Sequence, residues 1–227
     1  MSVDVWLCVA RVPELVAQAQ KEGLEQLGEA AQRRLAGPLS PRRQAQFIAG
    51  RWLLHALLRQ RFGIAAAVLA SITAEPDARP RLAGLHLAIS HSDEWLACAV
   101  STAQIGTDIQ VPRPQRDRTA LIEFICTPHE RQRLACGDAD GERQRLDTLW
   151  VLKEAWIKQP RSGPSHGLLD MARLETRRTN ATQSNARVWT GSGFTLALAA
   201  PAEAVMCWHE APLLDRLEPE HWRIDPR

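Results

Sequence analysis

The chain is expected to fold as an α+β protein, and three observations lead there. Period-two apolar runs and helical stretches follow one another without the strict alternation of a βαβ fold. Turn-rich breaks at Gly37-Pro38, Pro112-Arg113-Pro114 and 159–167 separate them. A hydrophobic fraction of 45% over 227 residues suffices for one large domain or two small ones.

Residues 3–10 (VDVWLCVA) alternate as a strand closed by Pro13. Residues 14–35 are helical in composition, with Leu24, Leu27 and Leu35 as buried points, until Gly37-Pro38 breaks them. Ser40-Pro41 reads as N-cap and first position of a second helix running to Phe62, with Gly63 as its stop. Phe47, Trp52, Leu54, Leu57 and Leu58 form its inner face, and Arg42, Arg43, Arg51, Arg59 and Arg61 lie mostly outside. Those arginines are either a solvated basic face or a phosphate-binding flank. Arg42 and Arg43 favour the flank, because backbone N–H groups are also free in the first turn. Residues 68–74 are expected as a strand and 75–80 as a loop. Residues 85–90 (LHLAIS) put Leu85, Leu87 and Ile89 on one face and run into a polar turn, His91-Ser92-Asp93. Residues 95–101 return and 104–110 (QIGTDIQ) add a third strand, giving a three-stranded meander. A boundary near 112 divides the chain into 1–111 and 112–227.

Beyond it, Thr127-Pro128-His129-Glu130 is a capping box at a helix start. Asp147 is the expected N-cap of the next helix, DTLWVLKEAWIK, the stretch around which the chain is organised. Trp150, Glu154 and Lys158 form one stripe, and Leu149, Leu152 and Trp156 an apolar one. Short strands are expected at 168–178, 186–190, 193–199 and 204–210, with a loosely packed tail from 212.

The net charge of +2, from 28 basic and 26 acidic residues, offers no field for nucleic acid. No apolar run approaches a membrane span. The N-terminus lacks the basic segment of a signal peptide. Five scattered cysteines without a Cys-x-x-Cys pair read as reduced thiols, so the expected location is the cytoplasm. Lysine occurs only at Lys21, Lys153 and Lys158, in a chain whose other basic residues are all arginine. Two of the three thus fall in one helix, where a compact ammonium differs from a guanidinium in hydration and tunability.

The chemistry-bearing groups are Ser90 and His91 at the end of one strand, Asp108 on another and Glu154 on the central helix. Each alone has a bland account, as a turn, a loop residue, a cap or an i,i+4 partner. Two carboxylates completed by water and phosphate are nonetheless a common way of holding Mg²⁺. No zinc spacing, P-loop or nucleophile elbow is present.

Leu87–Val100 (LAISHSDEWLACAV), Ile105–Ile109 (IGTDI) and 150–159 (WVLKEAWIKQ) resemble, in order and separation, the signature blocks of the large, monomeric Sfp-type 4′-phosphopantetheinyl transferases. The resemblance implies two similar α+β halves related by a pseudo-twofold, a cofactor cleft between them, and a monomer. It implies Mg²⁺-dependent transfer of the phosphopantetheine arm of coenzyme A to a serine of an acyl or peptidyl carrier protein, with release of 3′,5′-ADP. Fatty-acid, polyketide, nonribosomal-peptide and lysine-pathway carriers all remain open.

Residue by residue, it implies Asp108 and Glu154 on Mg²⁺ (or Mn²⁺), Glu154 or a water it holds as proton acceptor and Lys158 on the phosphate under attack. Ser90 and His91 would hold the 3′-phosphate side of coenzyme A, with Arg79, Arg42 and Arg43 as further nucleotide contacts. Lys153 takes a secondary place. Gln110 stands where many members carry a second acid, so a metal shell including Gln110 has one negative charge fewer and binds more weakly. Gln46 stands where many have Arg, leaving Arg42, Arg43 or Arg51 to substitute. The loop after Lys158 is longer than usual and carries two prolines. A non-catalytic descendant that binds coenzyme A or a carrier protein is the alternative reading.

Overall fold

The structure is a computed structural model that describes residues 3–72, 80–112, 118–135, 139–160, 168–191, 193–208, 214 and 216–227. It is mixed α+β, with two sheets packed face to face and helices on both outer faces. In chain order the elements are β1 (Val3–Arg11), α1 (Val12–Glu22), α2 (Glu29–Leu35), α3 (Pro41–Phe62), α4 (Ala66–Ala70), β2 (His86–Ser92), β3 (Trp95–Ser101) and β4 (Gly106–Gln110). Then follow α5 (Arg118–Ile125), α6 (Pro128–Leu134), α7 (Ala139–Ile157), β5 (Leu174–Arg178), β6 (Ala186–Gly191), β7 (Phe194–Ala199), β8 (Ala204–Trp208) and β9 (Glu220–Pro226).

One sheet runs β2-β3-β1-β8 and the other β4-β7-β6-β9-β5. Strand alternation builds the layers. Val5, Leu7 and Val9 of β1 point inward and meet Leu196 and Leu198 of β7 with Trp189 of β6, all buried between the sheets. Cys8 on the other face of β1 packs with Leu53, Leu54, Leu57 and Leu58 of α3. Ala197 and Ala199, on the outer face of β7, pack under Val151, Leu152 and Ala155 of α7. Small residues there let α7 lie close to its sheet.

Several expectations match in detail. α3 spans Pro41–Phe62, with Arg43 N–H donating to the Ser40 hydroxyl and Gly63 in the left-handed region at φ 63°. The capping box at Thr127 and Glu130 is complete in both directions.

Other expectations are corrected. The helix expected over 14–35 is interrupted: Gly23 and Gly28, at φ 96° and 87°, bracket a 3-10 turn. An L-residue avoids such φ, so each glycine ends a helical run. The strand expected from 68 is instead the short helix α4, in keeping with its alanines; residues 73–79 lie outside the described residues. Strand β2 continues through His91 to Ser92, so the turn is Asp93-Glu94 rather than His91-Ser92-Asp93. The meander is two strands and a departure, because β4 pairs antiparallel with β7 in the other sheet. Arg51 is buried rather than outside, and its guanidinium donates to the Ile72 carbonyl.

Asp147 is no N-cap. Helix α7 starts at Ala139 and carries Asp147 buried in its middle. No breaker other than a tolerated Gly141 lies between them. The tail does not fray: β9 lies between β6 and β5, with Trp222 and Ile224 buried at period-two spacing. Among the described residues, Cys8, Cys98, Cys126 and Cys207 are in no disulfide. No helix among the described residues is long and apolar enough to cross a membrane.

Candidate active site

The site forms where β4 passes the end of α7. Gly106 makes that passage possible. A Cβ placed there would stand 2.1 Å from the Ala155 carbonyl oxygen and 2.8 Å from the Gln159 nitrogen, both backbone atoms. No side chain fits, so glycine brings β4 against the helix. Asp108, two residues on and on the same face, then reaches Lys158 just past the helix end. The Lys158 N–H completes the last helical turn by donating to the Glu154 carbonyl at 2.9 Å.

Four side chains converge. Lys158 Nζ lies 2.5 Å from Asp108 Oδ1 and 3.4 Å from Glu154 Oε2. It also donates to Ser90 Oγ at 3.4 Å. Ser90 Oγ donates to Asp108 Oδ1 at 2.7 Å and accepts from the Ile109 N–H at 3.3 Å. Two residues on, Ser92 Oγ accepts from the Val111 N–H at 3.0 Å. The two serine hydroxyls of β2 thus take the place of a backbone ladder beside β4, and this seam ties one sheet to the other.

Asp108 is nearly fully buried, and its Oδ2 has no hydrogen-bond partner. A buried carboxylate oxygen left bare is costly unless something else fills the position. A divalent cation fits it, and the donor set is oxygen-rich as hard cations require. Among the described residues no group of three or more His, Cys, Asp or Glu could hold a metal, so a cation here would rest on two carboxylates and take its other ligands from water or phosphate. Gln110 shares the face of β4 with Asp108, but its amide donates to the neighbouring Val111 carbonyl at 3.2 Å.

Burial pushes the Glu154 carboxyl up, Lys158 draws it down, and the Asp108 charge adds to the rise; the net direction is upward. For Lys158, burial works to lower the ammonium, but Asp108 and Glu154 outweigh it and the net direction is up. The lysine is therefore charged, and of the two carboxyls on it Glu154 is one that accepts a proton more readily than an exposed glutamate.

A cavity of about 440 Å³ opens beside this cluster, lined by Lys158, Thr107, His91, Arg43, Gln46 and Arg51 among others. Its wall is close-built: a Cβ on Gly50 of α3 would be 3.4 Å from Ile89 and Leu96. Burial lowers the His91 imidazole, and Arg43 and Lys158 lower it further. Arg43, Arg51 and Lys158 around this cavity make it a place that attracts anions.

Of the residues singled out in the sequence, Ser90, Asp108, Glu154 and Lys158 come together, and His91 and Arg43 line the adjoining cavity. Arg42 is turned elsewhere, 2.6 Å from Asp93 in the β2–β3 turn. Gln46 donates to the Asp93 carbonyl at 3.0 Å, so α3 clasps this turn, whose Asp93 has φ 50°. Arg79 lies outside the described residues, as does the loop over 161–167.

Two features escape sequence reasoning. Arg51 lines the cavity with its guanidinium 5.5 Å from the Phe47 ring: its burial is what the sequence did not show, although it is one of the three arginines named to substitute at Gln46. Lys153 is fully buried and pairs with buried Glu130 at 2.5 Å, donating also to the Ile125 and Met171 carbonyls. Glu130 accepts in turn from the Thr176 N–H and hydroxyl. The pair fastens α7 to α6 and β5 and so fixes the helix that carries Glu154. The Thr-x-x-Glu spacing gave away the cap but not the buried lysine.

The family model for the 4′-phosphopantetheinyl transferase superfamily matches residues 104–207. The chain is 36% identical over 86 residues to the 4′-phosphopantetheinyl transferase Sfp of Bacillus subtilis (strain 168), covering 38% of each chain. It is 28% identical over 130 residues to the 4′-phosphopantetheinyl transferase HetI of Nostoc sp., covering 54% of each. A putative 4′-phosphopantetheinyl transferase of Synechocystis sp. is 26% identical over 173 residues, 73% of this chain and 67% of that protein. The chain spans about 38% of the length of the Bacillus subtilis relatives it matches. Residues 104–207 are therefore similar to the 4′-phosphopantetheinyl transferase superfamily, and parts of the chain are similar to the transferases Sfp and HetI.

Proposed function

We propose that the chain transfers the 4′-phosphopantetheine arm of coenzyme A to a serine of an acyl or peptidyl carrier protein and releases 3′,5′-ADP. The observation that carries this reading is the cluster of Ser90, Asp108, Glu154 and Lys158, with the bare Asp108 Oδ2, at the edge of a cation-lined cavity. We take the coenzyme A cleft to be that cavity. We take the two halves, 1–111 and 112–227, to be the α3 and α7 units, each lending one strand to the other's sheet.

In the reaction the serine oxygen bonds to the phosphorus bearing the pantetheine arm. The bond from that phosphorus to the bridging oxygen of 3′,5′-ADP breaks. The serine proton leaves to Glu154 or to a water it holds. Asp108 and Glu154 would hold Mg²⁺ (or Mn²⁺). When bound, this cation neutralises charge on the pyrophosphate. Lys158 supplies a fixed positive charge to the phosphoryl group under attack. Ser90 orients Asp108 by its hydrogen bond, and the Asp108 backbone is held in turn by the ladder to β7. His91 and Arg43 face the cavity where the 3′-phosphate would sit, and Arg79 is assigned to the nucleotide with them. Gln110 is the weakest metal candidate, since its amide is turned to the backbone.

The test is intact-mass analysis of an apo carrier protein incubated with the chain and coenzyme A, with Mg²⁺ and with EDTA. A gain of one phosphopantetheine arm only with Mg²⁺ is expected. Absence of any gain across several carrier types, with coenzyme A still bound, would favour the non-catalytic binder, for which Gln110 is the supporting residue. The expected setting is the cytoplasm and the expected state a monomer.

A further inference from the structure

We infer that Lys158 is a placeholder for the divalent cation: in the free protein its ammonium occupies the position between Asp108 and Glu154, and it must move toward a bound phosphate before the metal can bridge them. The inference rests on the functional reading above and concerns the order in which that site fills.

Lys158 Nζ is within 3.4 Å of oxygens from Asp108, Glu154 and Ser90, the set a hard cation would choose. A Mg²⁺ bridging the two carboxylates needs their oxygens at about 2.1 Å, in the space the ammonium now takes. Two cations cannot share it, because at such distances their repulsion is large even in a well-screened site. Asp108 keeps one oxygen, Oδ2, bare and buried, so a metal has a single foothold while the lysine is in place.

The lysine can move. It sits one residue beyond the end of α7, its side chain is 33% exposed, and it lines the cavity that also presents Arg43 and His91. A polyphosphate in that cavity offers the ammonium a new partner. Phosphate binding and metal binding are then coupled through one side chain. The ammonium also offsets the charge of the buried Asp108 when no substrate is present.

The experiment is calorimetric titration of the full chain with Mn²⁺ in the absence of coenzyme A. Wild type is compared with Lys158→Met, Lys158→Gln and Asp108→Asn, and thermal melts establish that each is folded. Lys158→Met is expected to bind Mn²⁺ at least about tenfold more tightly than wild type, with Lys158→Gln between them, although both lose transfer. Equal or weaker binding in both folded variants overturns the placeholder. If wild-type binding is then still removed by Asp108→Asn, the metal-dependent reading stands alone. If neither wild type nor Lys158→Met binds Mn²⁺, both fall.

Discussion

Replacing Gly106 by alanine tests the way this site is assembled. The added methyl carbon would meet the Ala155 carbonyl oxygen at 2.1 Å, the Gln159 nitrogen at 2.8 Å and the Lys158 carbonyl carbon at 3.0 Å. Ordinary contact begins near 3.4 Å, and backbone atoms cannot rotate aside, so β4 must retreat from α7 by about 1.3 Å. Overpacking of this kind costs about 1–3 kcal/mol. In a chain of this size that lowers Tm by roughly 2–12 °C. The same retreat stretches the 2.5 Å contact of Asp108 with Lys158 toward the limit of an ion pair. A misplacement of ~1 Å in a catalytic cluster costs on the order of 10²-fold in rate. Differential scanning calorimetry and the carrier-mass assay read the two effects separately. Gly50→Ala is the control: its Cβ would touch only the Ile89 and Leu96 side chains, at 3.4 Å, and alanine favours a helix by about 1 kcal/mol, so it should be neutral or stabilising. A Gly106→Ala protein with wild-type melting temperature and wild-type turnover would refute the close-approach argument.

Four further outcomes are expected. Glu154→Ala should abolish transfer while the chain remains folded, since the residue is only part-buried and its ion pair is with Lys158 past the helix end; wild-type-like turnover would remove it from the chemistry. His91→Ala should raise the KM for coenzyme A more than for dephospho-CoA, and an equal effect on both would take His91 off the 3′-phosphate. Glu130→Ala should destabilise by about 3–5 kcal/mol because it strands the buried Lys153 ammonium; Glu130→Leu combined with Lys153→Met should recover part of that loss, and additive losses would argue against direct pairing. Burial raises the Asp147 carboxyl from 3.8 to about 6, against the pull of Arg143 and Arg118. The folded chain therefore prefers the protonated form, and stability present below about pH 4 is lost as pH rises toward 6. Asp147→Asn should remove a penalty of up to about 3 kcal/mol at pH 7.5 and little at pH 4, and a difference in Tm that does not change with pH would contradict this.

Local signals proved reliable where the residue that sets the conformation is itself the signal. Ser40, Pro41 and Gly63 delimit α3 because an N-cap hydroxyl, a fixed φ and a left-handed glycine act within a few residues. The Thr127 box works in the same way. Asp147 misled because a side chain suited to capping can also be carried, buried, inside a helix whose earlier turns are polar. Trp222 and Ile224 gave a two-residue alternation too short to separate a strand from a tail.

The sequence by itself singled out the candidate residues. Ser90, Asp108, Glu154 and Lys158 stand out from their residue types and spacings and from the resemblance these carry. The sequence also determined the α+β class, both ends of α3 and the start of α6, because these depend on backbone preferences and periodicity within one segment. Only the tertiary structure decided which sheet β4 joins, that Lys153 is a buried anchor, and that Arg42 is spent on a turn while Arg43 faces the cavity. The physical reason is common to all of these. Partner choice depends on what another segment presents across space, as with the 2.1 Å clearance that only Gly106 permits, and no property of a single stretch of chain encodes it.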